Sequence, residues 1–244
     1  MDILNADAIK RCLCDWKIWI NIVIYACTVS TTYSINLFGP TLIQNLDPTY
    51  KPKTILLLSA PIFLVAAVFC LASAWVSDRL HHRAGIVLIG YLISFVGFAV
   101  LLTPKGAVTI RIRYMAIYFV NIGTYISLPI LWTMLANNVS GVYKTAFASS
   151  MQIGFGSVGG IIASSAYRVQ DRPLYFVGHL IIFVLLVVAF ILVCVFVAGI
   201  YFEKKKRQQG KRDYRLQSPN IDNMGDDHPH FELTYWYDKG LRRL

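Results

Sequence analysis

Hydroxyl, amide and indole side chains recur inside long apolar runs of this chain, at Tyr25, Tyr33, Asn36, Asn121, Tyr125, Trp132 and Gln152. Such groups are costly where they face lipid, so they must face other helices or a watery cavity. There they can glue helices together or hydrogen-bond a small solute, and the residue types alone leave both roles open. A second set, Asp78, Arg79 and Arg83, sits in the short charged turn Ser77-Asp-Arg-Leu-His-His-Arg83 between two apolar runs, where ion pairing is the available chemistry.

Other chemistries find little footing. His81, His82, His179, His228 and His230 do not pair at helical spacing with carboxylates inside the apolar runs, so a metal or haem site lacks ligands and no cofactor is expected. His228-Pro-His230 reads as solvated tail. The chain has no Gly-x-Ser-x-Gly elbow, phosphate loop or zincin motif, and an enzyme is not expected. Cys12, Cys14, Cys27, Cys70 and Cys194 are scattered without metal-ligand spacing and read as packing residues.

The elements that must position these groups are membrane spans. Of the 244 residues, 56% are hydrophobic and only 15% charged, against roughly 25% charged in ordinary soluble domains. The runs Ile55 to Val76 and Leu174 to Tyr201 lack polar faces and reach the ~20 residues that cross hydrocarbon. The formal charge of +10 lies in short blocks beside the runs, most densely from Lys204 to Arg212. That pattern fits topology signals and anionic lipid and argues against a nucleic-acid partner. The amino-terminal 15 residues lack the apolar core of a signal peptide.

Six spans are expected, near residues 16–38, 55–76, 84–102, 114–135, 145–167 and 174–202. They form one membrane domain over 16–202, preceded by a polar segment at 1–15 and followed by a basic, largely disordered tail at 203–244. Gly39-Pro40 should break or end the first span, and 46–54 should be an exposed connection. The first and fourth spans are polar and carry prolines, and the fifth is rich in glycine. Perturbed helices around a midplane cavity are what solute transporters use. Gly154, Gly156, Gly159 and Gly160 are read as packing residues. The sixth span, uniformly apolar, should be the most lipid-exposed. With six crossings both termini share one side, and that side carries more Lys and Arg, so it is assigned to the cytoplasm. The sequon at Asn138-Val-Ser140 then lies in the cytosol, unmodified.

Two stretches resemble a known family. Ala74-Trp-Val-Ser-Asp-Arg-Leu-His-His-Arg83 is similar to the Gly-xxx-Asp-Arg loop signature of the major facilitator superfamily, with Ala74, His81 and His82 departing from its pattern. Asn137-Asn-Val-Ser-Gly-Val-Tyr-Lys-Thr-Ala146, Gln152-Ile-Gly-Phe-Gly-Ser-Val-Gly-Gly-Ile-Ile162 and Tyr167 to His179 resemble the penultimate-helix region of the fungal anion:cation symporters. Those include the allantoate, nicotinate, pantothenate and biotin permeases. Ser157 stands where that family usually has Asn, and Tyr143 at a usually more polar position. The tail from Phe231 to Leu244 looks like a degraded form of the family's closing pattern, and Ala6 to Lys17 resembles the end of its central linker.

The resemblance implies an all-α membrane protein of six transmembrane helices, similar to the C-terminal half of a major facilitator transporter. It implies import of a small organic anion or vitamin, with a proton as coupling ion, by alternating access. Asp78, Arg79 and Arg83 become a conformational lock, and the seven residues named first become cavity candidates. The partners implied are the solute, the proton, the lipid bilayer, and the missing N-terminal half or a second copy of this chain. The location implied is the plasma membrane with both termini cytoplasmic. An alternative reading is a transport-inactive, half-length membrane protein, a truncated gene product or an interaction subunit.

Overall fold

The structure, a computed structural model, describes residues 12–47, 49–80, 82–104, 107–172, 174–210, 231 and 233. Among them, six helices are long and apolar enough to cross a membrane. These are α1 (Trp16–Leu46), α2 (Pro52–Leu80), α3 (Arg83–Leu101), α4 (Ile110–Asn138), α5 (Val142–Ala166) and α6 (Phe176–Gln208), with a 3-10 turn at Val169–Asp171 before α6. The all-α six-span architecture expected from the sequence is present. His81, His228, His230, most of the linker 1–15 and nearly all the tail beyond Gly210 lie outside the described residues.

Several boundaries differ from expectation, in one direction. Five of the helices exceed 24 residues, more than the ~20 that cross hydrocarbon, because hydropathy marks only the part of a helix in lipid. The clearest correction is at Gly39-Pro40, where α1 continues to Leu46. Pro40 removes one hydrogen bond, to the Asn36 carbonyl. Beyond it, Leu42 and Ile43 are buried and anchor the last turns in the core. The connection to α2 is correspondingly shorter, and Pro52 occupies the first turn of α2, where its missing N–H is no loss. In that connection Asp47 accepts from the Thr49 amide and hydroxyl at 3.0 and 2.7 Å, which holds its carboxyl below the usual range.

The tightest pairing is α3 against α4, built on glycine. A Cβ on Gly123 would fall on the Gly90 carbonyl and the Ser94 hydroxyl, and one on Gly97 would lie 2.7 Å from the Ala116 carbonyl. Ser94 donates to the Val120 carbonyl at 3.1 Å and Ser127 to that of Val87 at 3.3 Å, so the close approach also satisfies buried hydroxyls. Helix α1 runs through the centre against α4, α5 and α6. Thr28 and Tyr91 link it to α3 through a 2.6 Å hydroxyl pair.

Exposure at the surface of the bundle is shared. Only 22% of the most apolar window of α2 is buried, against 28% for α6, so α6 is not the most exposed span. The reason is a regular inner face on α6, where Ile182, Leu186, Ala189, Val193, Phe196 and Ile200 are all fully buried. Phe183 and Phe190 meet Phe95 of α3, and Phe196 meets Trp16 of α1. Cys12 and Cys27 pack inside, whereas Cys14 and Cys194 are exposed and do not serve as core residues. Helix α6 passes residue 203 to end at Gln208. Two described tail residues lie against the bundle, with Leu233 buried and the Phe231 carbonyl accepting from Arg207 at 2.9 Å.

Candidate functional site

The polar residues of α1, α4 and α5 fall into three environments. Asn121 on α4 and Gln152 on α5 are enclosed, at 0% and 1% exposure, and neither amide has a hydrogen-bond partner at its nitrogen or its oxygen. Asn21 on α1 is also fully buried; its Nδ2 donates to the Lys17 carbonyl at 3.2 Å while its Oδ1 is unmatched. A buried polar group without a partner costs about 1–3 kcal/mol. Three such amides in one small bundle leave unmet hydrogen-bonding capacity.

Tyr25 and Tyr33 form the second environment, where α1 meets α5. The two helices run parallel: Asp15 reaches Lys144, Tyr25 lies against Gly156, and Tyr33 lies against Gly160. One turn before the Tyr25–Gly156 contact, Asn21 and Gln152 therefore stand at the same level. The glycines do more than let backbones meet. A Cβ on Gly156 would lie 2.6 Å from the Tyr25 ring, and one on Gly160 would lie 3.3 Å from that of Tyr33. Gly156→Ala should therefore lose about 1–3 kcal/mol of stability. In a Tyr25→Ala background the same change should be nearly neutral, a coupling that thermal melts of the four proteins in detergent will measure.

The third environment is open. Asn36 and Trp132 are exposed, and Tyr125 is half-buried. Two of these three share a backbone feature, since Pro40 and Pro129 stand four residues after Asn36 and Tyr125 and leave those carbonyls without their helical donor. No hydrogen bond or ring contact joins Asn121, Tyr125 and Trp132 of α4 to the α1 and α5 candidates. The structure thus groups Tyr25, Tyr33 and Gln152 along one seam and keeps the α4 residues as a separate row.

The charged turn between α2 and α3 is looser than its sequence suggests. Arg83 approaches Asp78 only to 4.0 Å, and the Asp78 side chain is 77% exposed. Arg79 instead lies over the Trp75 ring, 4.1 Å from its centroid. Arg83 alone reaches another helix end, donating to the Thr133 carbonyl of α4 at 3.1 Å.

A stronger charge cluster lies at the same end of the bundle and was not singled out from sequence. Asp15 caps α1 by accepting from the Lys17 amide at 3.0 Å. Its carboxylate also pairs with the ammonium groups of Lys17 at 3.3 Å and Lys144 at 3.0 Å, all three side chains being nearly buried. Lys17 further donates to the Asn138 carbonyl at 3.2 Å, tying α1, α4 and α5 together. Available signals were an Asp at a helix start and a Lys in the motif-like loop, but 129 residues separate them. The Asn138 amide of the sequon is fully buried and donates to Met134, so the folded chain offers it to no modifying enzyme.

Comparison with known proteins places these features. Residues 43–229 match the family model described as the MFS_1 like family. The chain is 27% identical over 218 residues to an uncharacterized transporter of Schizosaccharomyces pombe, covering 89% of this chain and 42% of that protein. It is 26% identical over 230 residues to the high-affinity nicotinic acid transporter of Saccharomyces cerevisiae, covering 91% and 41%. An MFS-type transporter of Penicillium expansum is 26% identical over 213 residues, covering 83% and 40%. The chain spans about two-fifths of the length of these relatives.

Proposed function

Because the chain belongs to the MFS_1 like family of membrane transporters, we propose that it forms the C-terminal six-helix half of a secondary transporter of the fungal anion:cation symporter type. The complete transporter imports a small organic anion or vitamin with a proton, across the plasma membrane, with both ends of this chain in the cytoplasm. The observation that carries this reading is the unmatched polar capacity on α1, α4 and α5. Buried amides at Asn121 and Gln152, with two proline-freed carbonyls at Asn36 and Tyr125, suit a solute path better than a sealed bundle. A nicotinic acid transporter among the relatives supports a carboxylate as the solute.

In this reading Tyr25, Tyr33, Asn36, Asn121, Tyr125, Trp132 and Gln152 face the path on rearrangement, and Arg83, through Thr133, is the working member of the Asp78–Arg79–Arg83 lock. Alternating access needs two units rocking about one site, so a second six-helix unit, supplied by an N-terminal half or another copy, completes it. A second reading, a membrane protein inactive in transport, is favoured by the loose charged turn, where Arg83 approaches Asp78 only to 4.0 Å and Asp78 is largely exposed.

Uptake of labelled nicotinate, pantothenate, biotin and allantoate by a permease-deficient yeast tests both. These 244 residues alone should accumulate none of the four. Co-expression with the N-terminal six spans of the nicotinic acid relative should restore uptake that collapses with a protonophore. Robust uptake by the chain alone would refute the need for a second half, and failure of the combined halves on all four solutes would favour the inactive reading.

A further inference from the structure

At the end of the bundle away from Asp15 and Lys144, a cavity of about 430 Å³ opens between the last turns of α1, Val108 and Thr109 ahead of α4, the first turns of α4 and the start of α6. Its walls are mostly apolar, with Leu46, Val108, Ile117 and Leu174 among them, and Asn45, Thr109, Arg113 and His179 supply the polar groups. No carboxylate is found among the described residues that line it. The acid nearest in the α1–α2 connection, Asp47, is bound to Thr49.

Arg113 is only 7% exposed, yet it has no carboxylate partner among the described residues. Its Nη2 donates to the Thr103 and Pro104 carbonyls at 2.6 and 2.8 Å, which holds the guanidinium plane in place. A guanidinium has five N–H donors, and those on Nε and Nη1 meet no acceptor among the described residues. The Asn45 Nδ2 is also buried without an acceptor. His179 is fixed in the wall by the Tyr167 hydroxyl, 3.0 Å from its Nδ1. An enclosed cation without a counter-ion is expensive to maintain. A fixed fork of donors beside an amide donor, inside apolar walls, is complementary to one anionic head on an apolar body.

We propose that this cavity is a binding site for a small monocarboxylate with an apolar body, its carboxylate held by the free edge of Arg113 and by the Asn45 amide. The site lies at the opposite end from the charged turn and the Asp15 cluster, and it requires only binding by this chain, not transport.

The test is titration of the full chain in phosphatidylcholine nanodiscs with benzoate and with benzamide, its neutral counterpart, followed by ligand-observed NMR. Benzoate should bind, and benzamide at least about tenfold more weakly, as expected for a charge-assisted contact. Arg113→Gln should weaken benzoate by a similar factor. Val108→Trp should abolish binding by filling the cavity while leaving Arg113 and its loop contacts intact, which separates loss of the site from loss of the fold. Equal binding of benzoate and benzamide, unchanged benzoate binding in Val108→Trp, or no benzoate binding by the parent chain would each overturn the proposal. Loss of benzoate binding on adding phosphatidylglycerol to the discs would also overturn it, by reassigning the site to a lipid headgroup.

Discussion

Gly123→Ala will separate α3 from α4 and leave little folded protein in detergent. The added Cβ would meet the Gly90 carbonyl and Ser94 side-chain oxygen, and the Ser94 backbone nitrogen at 2.8 Å. Backbone atoms of a helix cannot rotate away as a flexible side chain can, so relief requires moving the helices apart. That motion would weaken the Ser94–Val120 and Ser127–Val87 hydrogen bonds in the same seam. The expected loss is roughly 3 kcal/mol or more, the upper range for overpacking. Gly85→Ala and Gly154→Ala are the controls, because a Cβ at either position meets nothing within 4 Å. In helical backbone those changes should be neutral or stabilising by up to ~1 kcal/mol. Size-exclusion recovery after a heating series will rank the three. A Gly123→Ala protein as robust as the two controls would show that the α3–α4 contact is not the constraint described here.

Asp15→Ala should be the most damaging single change at the end of the bundle where α1 starts. It removes the carboxylate that pairs with the nearly buried ammonium groups of both Lys17 and Lys144. Breaking a buried pair from one side costs roughly 3–5 kcal/mol, and loss of the α1 N-cap adds about 1 kcal/mol. Asp15→Ser retains a capping oxygen without the charge and should recover only that smaller part. Combining Asp15→Leu with Lys17→Met and Lys144→Met should recover more, because all three members of the cluster are then neutral. The comparison is a set of thermal melts in one detergent. Equal melting of Asp15→Ala and the parent chain would mean that the cluster contributes nothing to holding α1 to α5.

The two charged clusters show where reading the chain falls short. Asp78, Arg79 and Arg83 are close in sequence and look like a network, yet Asp78 faces solvent, Arg79 turns to Trp75, and only Arg83 reaches α4. Asp15 and Lys144 look unrelated, yet they meet at 3.0 Å. Proximity along a chain places residues on one element. It does not decide which side chain finds a desolvated partner, and it is desolvation that makes a charge pair consequential. Arg113 escaped notice for a related reason. The apolar run starts after it, whereas α4 starts at Ile110, since an arginine stem can lie along the first turn of a helix while its head stays polar.

The sequence by itself determined six spans, their order, the polar character of the first and fourth, and the glycine content of the fifth. These properties depend on composition over about 20 residues and on local backbone preference, which need no tertiary contact. Only the tertiary structure decided that α1 runs on past Pro40, because burial of Leu42 and Ile43 outweighs one lost hydrogen bond. It also decided that Gly156 and Gly160 seat Tyr25 and Tyr33, that Asn121 and Gln152 are enclosed while Asn36 and Trp132 are open, and that Arg113 lies in a cavity with no carboxylate partner among the described residues. Each of these turns on which helix faces which. Helices with apolar surface all round carry almost no periodic signal to set that choice, so close packing between helices sets it.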